Sequence, residues 1–492
     1  MMKIGRNTEQ SGIMTIALTA EEDPDPIVSN EFRTGSSVNV LVVSNFSKRI
    51  TQEANAAADV ATDDDRRLCR DDAPIHIRFG YRTMFEPGAI DAIIQQIIQQ
   101  RKVNVLDLMW NPFLPDFAKL VEAATRESIL IDLKLNLENV VGANQAFSAA
   151  SGARTRLKCL GLCLKAPRRR TAESWDDDDG TRHFFSQAVA QGIQQFINLQ
   201  ELRLHLFDFT DESLNDMICH VIYVLKERNI SSLWFVTEGI LSSHALPSIT
   251  RLIQAAANTG TNITHLGVTF CHDLLTNPAL AQDFVSAIQQ QIPTRLVLAH
   301  VGLTVRTVSQ LLNVYATTCT KMNNQSLKKC NSLPTWLHLR GRGFLQDTAF
   351  SQLLKSLPQM NNVISLVVED SLFQWTREKE DLFCSALFQN TCITHVAENY
   401  RHISENLRTS LLHVQKRNQM LARVQSLLLV QGNKNLPRGI WPRLLHAVSS
   451  AENVNYKTSM IGGSSSSVAV YWIVQHNVQI ILDAFAAAAT SR

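Results

Sequence analysis

The first candidates for chemistry are two thiols, Cys159 and Cys163, which lie four residues apart in an apolar run. If that run is a β-strand, both side chains point to one face, but roughly 13 Å apart at about 3.3 Å per residue. Two ligands of one zinc ion must lie much closer together, because each binds at about 2.3 Å from the metal. We therefore expect two separate surface thiols and no metal pair.

Five histidines invite a metal-binding or acid–base interpretation, but none has a recognisable spacing to a partner residue. They are His183, His205, His265, His338 and His395. The sequence also lacks Gly-x-x-x-x-Gly-Lys-Ser/Thr, Gly-x-Ser-x-Gly, His-Glu-x-x-His and paired Cys-x-x-Cys motifs, which serve phosphate binding, acyl transfer and zinc binding. The sequence therefore predicts ordinary surface histidines, no metal, no cofactor and no enzyme activity.

A basic cluster, Arg168-Arg169-Arg170 with Lys165, has the composition of a nuclear signal or a nucleic-acid contact. Four aspartates at 176–179 follow it, and the net charge of the whole chain is only +2. A dedicated nucleic-acid binder usually carries a larger basic excess. We expect a solvated loop and no nucleic-acid partner. A partner-binding or regulatory loop is the alternative.

Aromatic and basic residues recur in short segments where every second residue is apolar. This alternation is typical of strands with one buried face, so the intervening residues point to the other face. There we predict a discontinuous partner-binding track: Arg203, His205, Trp234, His265, Arg295, Trp336, His338 and Arg340. Exposed tryptophan beside arginine and histidine is favoured in binding hot spots. The alternative is that loops or terminal segments cover the tryptophans, or that irregular segments twist out of register.

The apolar segments that carry this track recur at a nearly constant period. The first apolar residue of each pair stands at 106, 133, 160, 202, 233, 266, 296, 337, 366 and 396. Seven of the nine steps are 27–33 residues long, and the two longer steps contain polar insertions at 167–180 and 317–332. Residues 75–79 fit as an earlier strand of the series. Such a period is the signature of a repeat protein.

Between the strand segments the apolar residues change to helical spacing. Leu214, Ile218, Val221 and Leu225 lie at i, i+4, i+7 and i+11, which is the buried stripe of an amphipathic helix. Each unit is therefore strand, loop, helix and return loop, and only stacking of neighbouring units can bury both apolar faces. We predict an α/β solenoid with parallel strands on a concave face and helices on a convex face.

This pattern resembles the leucine-rich repeat proteins of the ribonuclease-inhibitor-like class, whose units are roughly 28–29 residues long. The resemblance covers about residues 75–398. Asn111 and Cys271 fit the Asn/Cys position after the second strand leucine of the family template, but most other units depart from it. Residues 432–447, with their Leu-Pro and Trp-Pro pairs, resemble the closing segment of uncharacterised leucine-rich repeat families of diatoms.

The resemblance implies a horseshoe-shaped, non-catalytic scaffold that binds a protein or peptide partner on its concave face. Some proteins of this class recruit substrates to ubiquitin ligases, and others activate GTPases, so both functions are alternatives. The first needs a ligase-binding helical module, and residues 1–72 contain no convincing one. The second would act through an arginine or by ordering the active site of the GTPase itself. Arg78 and Arg342 lie near predicted strand ends, but nothing in the sequence singles out either.

The chain divides into three predicted regions: a partly disordered N-terminal region at 1–72 with a possible strand at 38–43, the solenoid at 73–398, and a helical cap at 399–492. Apolar residues of the cap, such as Trp441 and Trp472, are expected to cover the last unit. Scattered cysteines are typical of a reduced intracellular protein, and no apolar run approaches the ~20 residues of a membrane span. We expect a cytoplasmic or nuclear protein without a membrane partner.

Overall fold

A computed structural model describes residues 39–43, 75–79, 89–98, 103–127, 129–166, 178–323, 335–396 and 403–430. The described residues form two compact units, divided between Pro293 and Thr294. Each unit alternates parallel β-strands with helices, which confirms the predicted fold class, an α/β solenoid of leucine-rich repeat type. The region boundaries predicted at 72/73 and 398/399 lie outside the described residues.

The strands of the first unit pair in parallel and in chain order. They are β1 (Asn39–Val43), β2 (Ile75–Phe79), β3 (Val103–Asp107), β4 (Asp132–Leu137), β5 (Cys159–Lys165), β6 (Glu201–Phe207), β7 (Ser232–Glu238) and β8 (Asn262–Thr269). Both early strands, predicted at 38–43 and 75–79, are confirmed. Period-2 alternation identified these strands because only one face of each packs on helices.

The helices of the first unit connect successive strands. They are α1 (Ala89–Ile93), which a π-helical turn continues (Ile94–Ile98), α2 (Pro115–Glu127), α3 (Val140–Ala149), α4 (Asp178–Gln194), α5 (Asp211–Glu227), α6 (Leu246–Thr259) and α7 (Pro278–Gln290). The stripe predicted from Leu214 to Leu225 is the buried face of α5. Thr210 and Ser213 begin this helix with reciprocal side-chain-to-backbone hydrogen bonds, which satisfy two donors that the first turn leaves open.

The second unit repeats the same alternation. Its strands are β9 (Arg295–Ala299), β10 (Thr335–Gly341), β11 (Val363–Asp370) and β12 (His395–Val396). Its helices are α8 (Val305–Asn323), α9 (Asp347–Ser356), α10 (Arg377–Gln389) and α11 (Glu405–Val430). The loop predicted at 317–332 is wrong at its start, because α8 continues through residue 323. Likewise, the last three residues of the insertion at 167–180 already belong to α4.

The core of each unit is a stack of strand leucines. Leu133 and Leu202 of the first unit and Leu337 of the second are fully buried, as the repeat register predicts. Each leucine is covered by helices of its own unit and by leucines of the neighbouring strands, so the repeats are stable only as a stack. The Asn/Cys position of the family template is also buried where it is occupied, at Asn111 and Cys271.

Several strands are followed directly by a residue with a positive φ. The residue directly after β6, β8 and β9 has a left-handed backbone conformation, with φ of 58° at Asp208, 60° at Phe270 and 57° at His300. After β7 the same place is taken by Gly239, with φ of 143°. A positive φ turns the chain out of the strand, and only glycine adopts it without a steric cost.

Helix α11 closes the second unit through polar contacts. The fully buried Arg417 donates to the backbone carbonyl oxygens of Phe388, at 2.8 Å, and Asn390, at 2.5 Å. Asn418 donates to the carbonyl of Asn390 at 3.1 Å and to that of Ile393 at 2.7 Å. These donors satisfy the carbonyls of Phe388 and Asn390, at the end of α10, and that of Ile393, in the loop that follows it. The other residues predicted to form the cap, including Trp441 and Trp472, lie outside the described residues.

Candidate interaction surfaces

One face of each sheet points away from the helices, and we call it the open face. In β6 the burial alternates strictly: Leu202, Leu204 and Leu206 are buried, whereas Arg203 and His205 are partly exposed. Every residue of the predicted track lies in a strand, at an open-face position. Four of them fall in the first unit and four in the second, and we describe the two groups separately.

The first tryptophan cluster consists of Arg203, His205, Trp234 and His265. In the strand register Trp234 lies directly between Arg203 of β6 and His265 of β8. The indole centroid is 4.8 Å from the His265 ring and 5.8 Å from the His205 ring, which it meets edge-on. These separations are within the favoured range for aromatic pairs. The half-buried indole of Trp234 is therefore held on two sides and keeps part of its surface exposed.

His265 differs from the prediction, which placed it among the exposed side chains. It is only 7% exposed. Trp234 pairs with His265, whereas the repeat register would place it beside Gly267, and a β-bulge lies between Leu233 and Trp234. Burial, with a smaller contribution from His205, lowers the pKa of His265 to about 3. The His265 imidazole is therefore neutral at physiological pH. It packs against the Trp234 indole but is too buried to contact a partner itself.

The two basic side chains of the first cluster have carboxylate partners that the sequence analysis did not identify. Arg203 Nε donates to Glu201 Oε1 at 2.7 Å, and His205 Nε2 lies 3.3 Å from Glu238 Oε1. Glu201 shares a strand with Arg203, whereas Glu238 comes from the adjacent strand β7. This part of the predicted basic track is thus an Arg203–Glu201 ion pair and a His205–Glu238 contact beside an aromatic ring, and its net positive charge is small.

The second tryptophan cluster consists of Arg295, Trp336, His338 and Arg340. Trp336 is partly exposed and lies opposite Arg295 of β9 on one side and Ser365 of β11 on the other. His338 Nε2 is 3.0 Å from the Ser365 hydroxyl. Arg340 Nε lies 3.2 Å from Glu369 Oε2. Burial lowers the pKa of Arg295 to about 10, so this guanidinium stays charged at neutral pH although it is largely removed from water.

A third polar group lies on the open face of the first unit. Lys134 Nζ is 3.1 Å from Asp107 Oδ2, and both side chains are only 7% exposed. The lysine stem crosses Gly161 of the next strand, since a Cβ there would lie 2.9 Å from Lys134 Cγ. The repeat period places Asp107 and Lys134, which are 27 residues apart, at equivalent positions of adjacent strands, but the sequence analysis did not identify them as an ion pair.

The expectation of two surface thiols at Cys159 and Cys163 is wrong, because both are buried, with exposures of 8% and 7%. Side chains of the adjacent strands pack closely around them, Asp132 and Glu201 beside Cys159 and His205 beside Cys163. Burial is the largest cause that raises the pKa of both thiols, to about 12 for Cys163. A buried thiol that resists ionisation is a poor nucleophile and a poor metal ligand.

No family model and no curated protein matches this chain. Among the described residues, no helix combines the length and the apolar character needed to cross a membrane. The resemblance to ribonuclease-inhibitor-like and diatom leucine-rich repeat families therefore stays a prediction. The two tryptophan clusters are defined by their geometry alone.

Proposed function

We propose that this protein is a non-catalytic interaction scaffold that binds a protein or peptide partner on the open faces of its sheets. The observation that supports the proposal best is Trp234, whose partly exposed indole is fixed between two imidazoles. A side chain that is already ordered loses little conformational entropy on binding. Tryptophan and arginine in such positions are the residues that dominate binding energies at interfaces.

The ion pairs refine the kind of partner. Because Arg203, His205 and Arg340 each lie beside a glutamate, strong long-range attraction of an acidic partner is not expected. A partner with a flat apolar or aromatic group that covers an indole fits these surfaces better than a strongly acidic partner. Polar groups of the same partner would hydrogen-bond to the charged and polar side chains around the indole. Cytoplasmic or nuclear residence and the ribonuclease-inhibitor-like ancestry belong to this proposal as well.

The test is a pull-down from lysate with mass spectrometry, using the full chain and a Trp234→Ala, Trp336→Ala double variant. The matched control is Tyr223→Ala, which removes an aromatic ring that is 53% exposed on helix α5. We expect the double variant to lose partners that the wild type and the control retain, while circular dichroism shows equal folding. A folded double variant that keeps every partner would refute the proposal.

The identity of the captured partners also separates the two alternative functions. Ligase subunits among them would favour the substrate-recruiting adaptor. A small GTPase whose hydrolysis the protein stimulates would favour the GTPase activator, and Arg342, which is exposed, or Arg78, whose guanidinium lies 5.7 Å from the Trp110 ring, would then be substituted.

A further inference from the structure

Two helices of the first unit bring together a His-Asp-His group on the side opposite the open face. His183 comes from α4, and Asp216 and His220 come from α5. The last two are four residues apart, and i, i+4 side chains of a helix lie on one face about 5–6 Å apart at Cβ. His183, expected from the sequence to be an ordinary surface histidine, therefore has two potential co-ligands 33 and 37 residues further along the chain.

The three potential ligand atoms lie close together. His183 Nδ1 is 3.0 Å from Asp216 Oδ1, and His220 Nε2 is 3.7 Å from the same oxygen. All three ligand atoms lie within 4.8 Å of one another, and the two imidazole centroids are 5.8 Å apart. Tetrahedral ligands at about 2.0–2.1 Å from zinc are about 3.3 Å apart. The group therefore needs only side-chain rotations, and His183, at 59% exposure, is free to make them.

Asp216 carries a second observation. Its Oδ2 atom is enclosed, and no hydrogen-bond donor reaches it within the described part of the chain. An enclosed carboxylate oxygen without a donor is unfavourable unless a cation or a donor satisfies it.

We propose that His183, Asp216 and His220 form a binding site for a divalent transition-metal ion, and that zinc fits it best. Two imidazole nitrogens and one carboxylate are a donor set that zinc binds, and three protein ligands leave a fourth position for water or a partner side chain. Bound metal would replace the present hydrogen bond between His183 and Asp216 and would connect α4 to α5. This site is independent of the tryptophan clusters and of the proposed scaffold function.

The test compares zinc binding by the metal-free chain and three variants of it, using isothermal titration calorimetry at neutral pH. The variants are His183→Ala, Asp216→Asn and His183→Ala with His220→Ala. The matched control is His244→Ala, which removes an exposed imidazole that is not part of the group. All proteins, including the reference that is called wild type in this test, carry Cys219→Ser, because that exposed thiol is adjacent to His220. We expect wild type and control to bind one more zinc ion per chain than the double variant.

Cobalt(II) provides a second readout, since its visible d–d absorption reports the ligand set directly. Wild type and the His244 control should give the same spectrum, and each single variant should weaken binding on the order of ten-fold or more. His183 is exposed enough that its loss should leave folding intact, which circular dichroism checks. Equal zinc stoichiometry and equal cobalt spectra in the control and the double variant would overturn the site and leave a plain histidine–aspartate hydrogen bond.

Discussion

Replacing Lys134 by methionine isolates the energetic role of the Asp107–Lys134 ion pair. Methionine keeps the aliphatic stem that crosses Gly161, so the main loss is the ammonium group. Asp107 would then be a carboxylate at 7% exposure without its partner at 3.1 Å. Removing one member of a buried pair typically costs about 3–5 kcal/mol, because the remaining charge stays desolvated. We expect the free energy of unfolding to fall by that amount.

Urea denaturation followed by far-UV circular dichroism measures this loss, with two companion variants. Lys119→Met is the control, since Lys119 and Asp116 form an exposed pair at 3.7 Å and such pairs contribute about 0–1 kcal/mol. Asp107→Asn combined with Lys134→Met removes both charges and keeps an acceptor for the Met109 amide. This double variant should recover about 2 kcal/mol relative to Lys134→Met alone. If Lys134→Met costs no more than the control, the argument from burial is wrong.

Three further predictions concern His265, Arg417 and Gly161. Burial lowers the pKa of His265 from 6.5 to about 3, so between these pH values the unfolded chain binds more protons than the folded chain. The free energy of unfolding therefore falls as the pH drops below 6.5, and at pH 5 the loss is about 2 kcal/mol. Urea titrations at several pH values should show that His265→Gln flattens this dependence. Arg417→Met should destabilise the last repeat by roughly 1–3 kcal/mol, because the Phe388 carbonyl loses its donor and the Asn390 carbonyl keeps only the one from Asn418. Hydrogen exchange should then accelerate in α10 and β12 and stay unchanged in the first unit. Gly161→Ala should cost about 1–3 kcal/mol by forcing the Lys134 stem aside, and the loss should shrink when Lys134 is also alanine, as the same denaturation assay would reveal.

The fold was predictable from the sequence because its signals are local and repeated. Period-2 leucines such as Leu202 and helical stripes such as Leu214 to Leu225 both reflect burial against neighbours that recur every unit. The register at Trp234 was not predictable, since the bulge beside it depends on how β7 and β8 pair. Neither was the helical extension of α8 into a polar segment.

The candidate sites were predictable only in part, for a related reason. Strand alternation placed Arg203, Trp234 and Trp336 on the open face, but their carboxylate partners are set by register and side-chain length. The burial of His265 and Cys159 depends on the packing of adjacent strands, which a single strand pattern does not contain. For the proposed metal site, the i, i+4 spacing of Asp216 and His220 was a usable signal, whereas the approach of His183 required the stacking of α4 on α5.

The left-handed residues that follow several strands affect which substitutions the repeats can accept. Asp208, Phe270 and His300 each hold a conformation that glycine adopts without penalty, and a bulky residue there costs on the order of 1 kcal/mol. Because the positive φ occurs at equivalent positions of separate repeats, each of these repeats carries its own conformational cost. Glycine at these three positions should stabilise each repeat and make one repeat easier to exchange for another. This is a starting point for engineering arrays of chosen length from this chain.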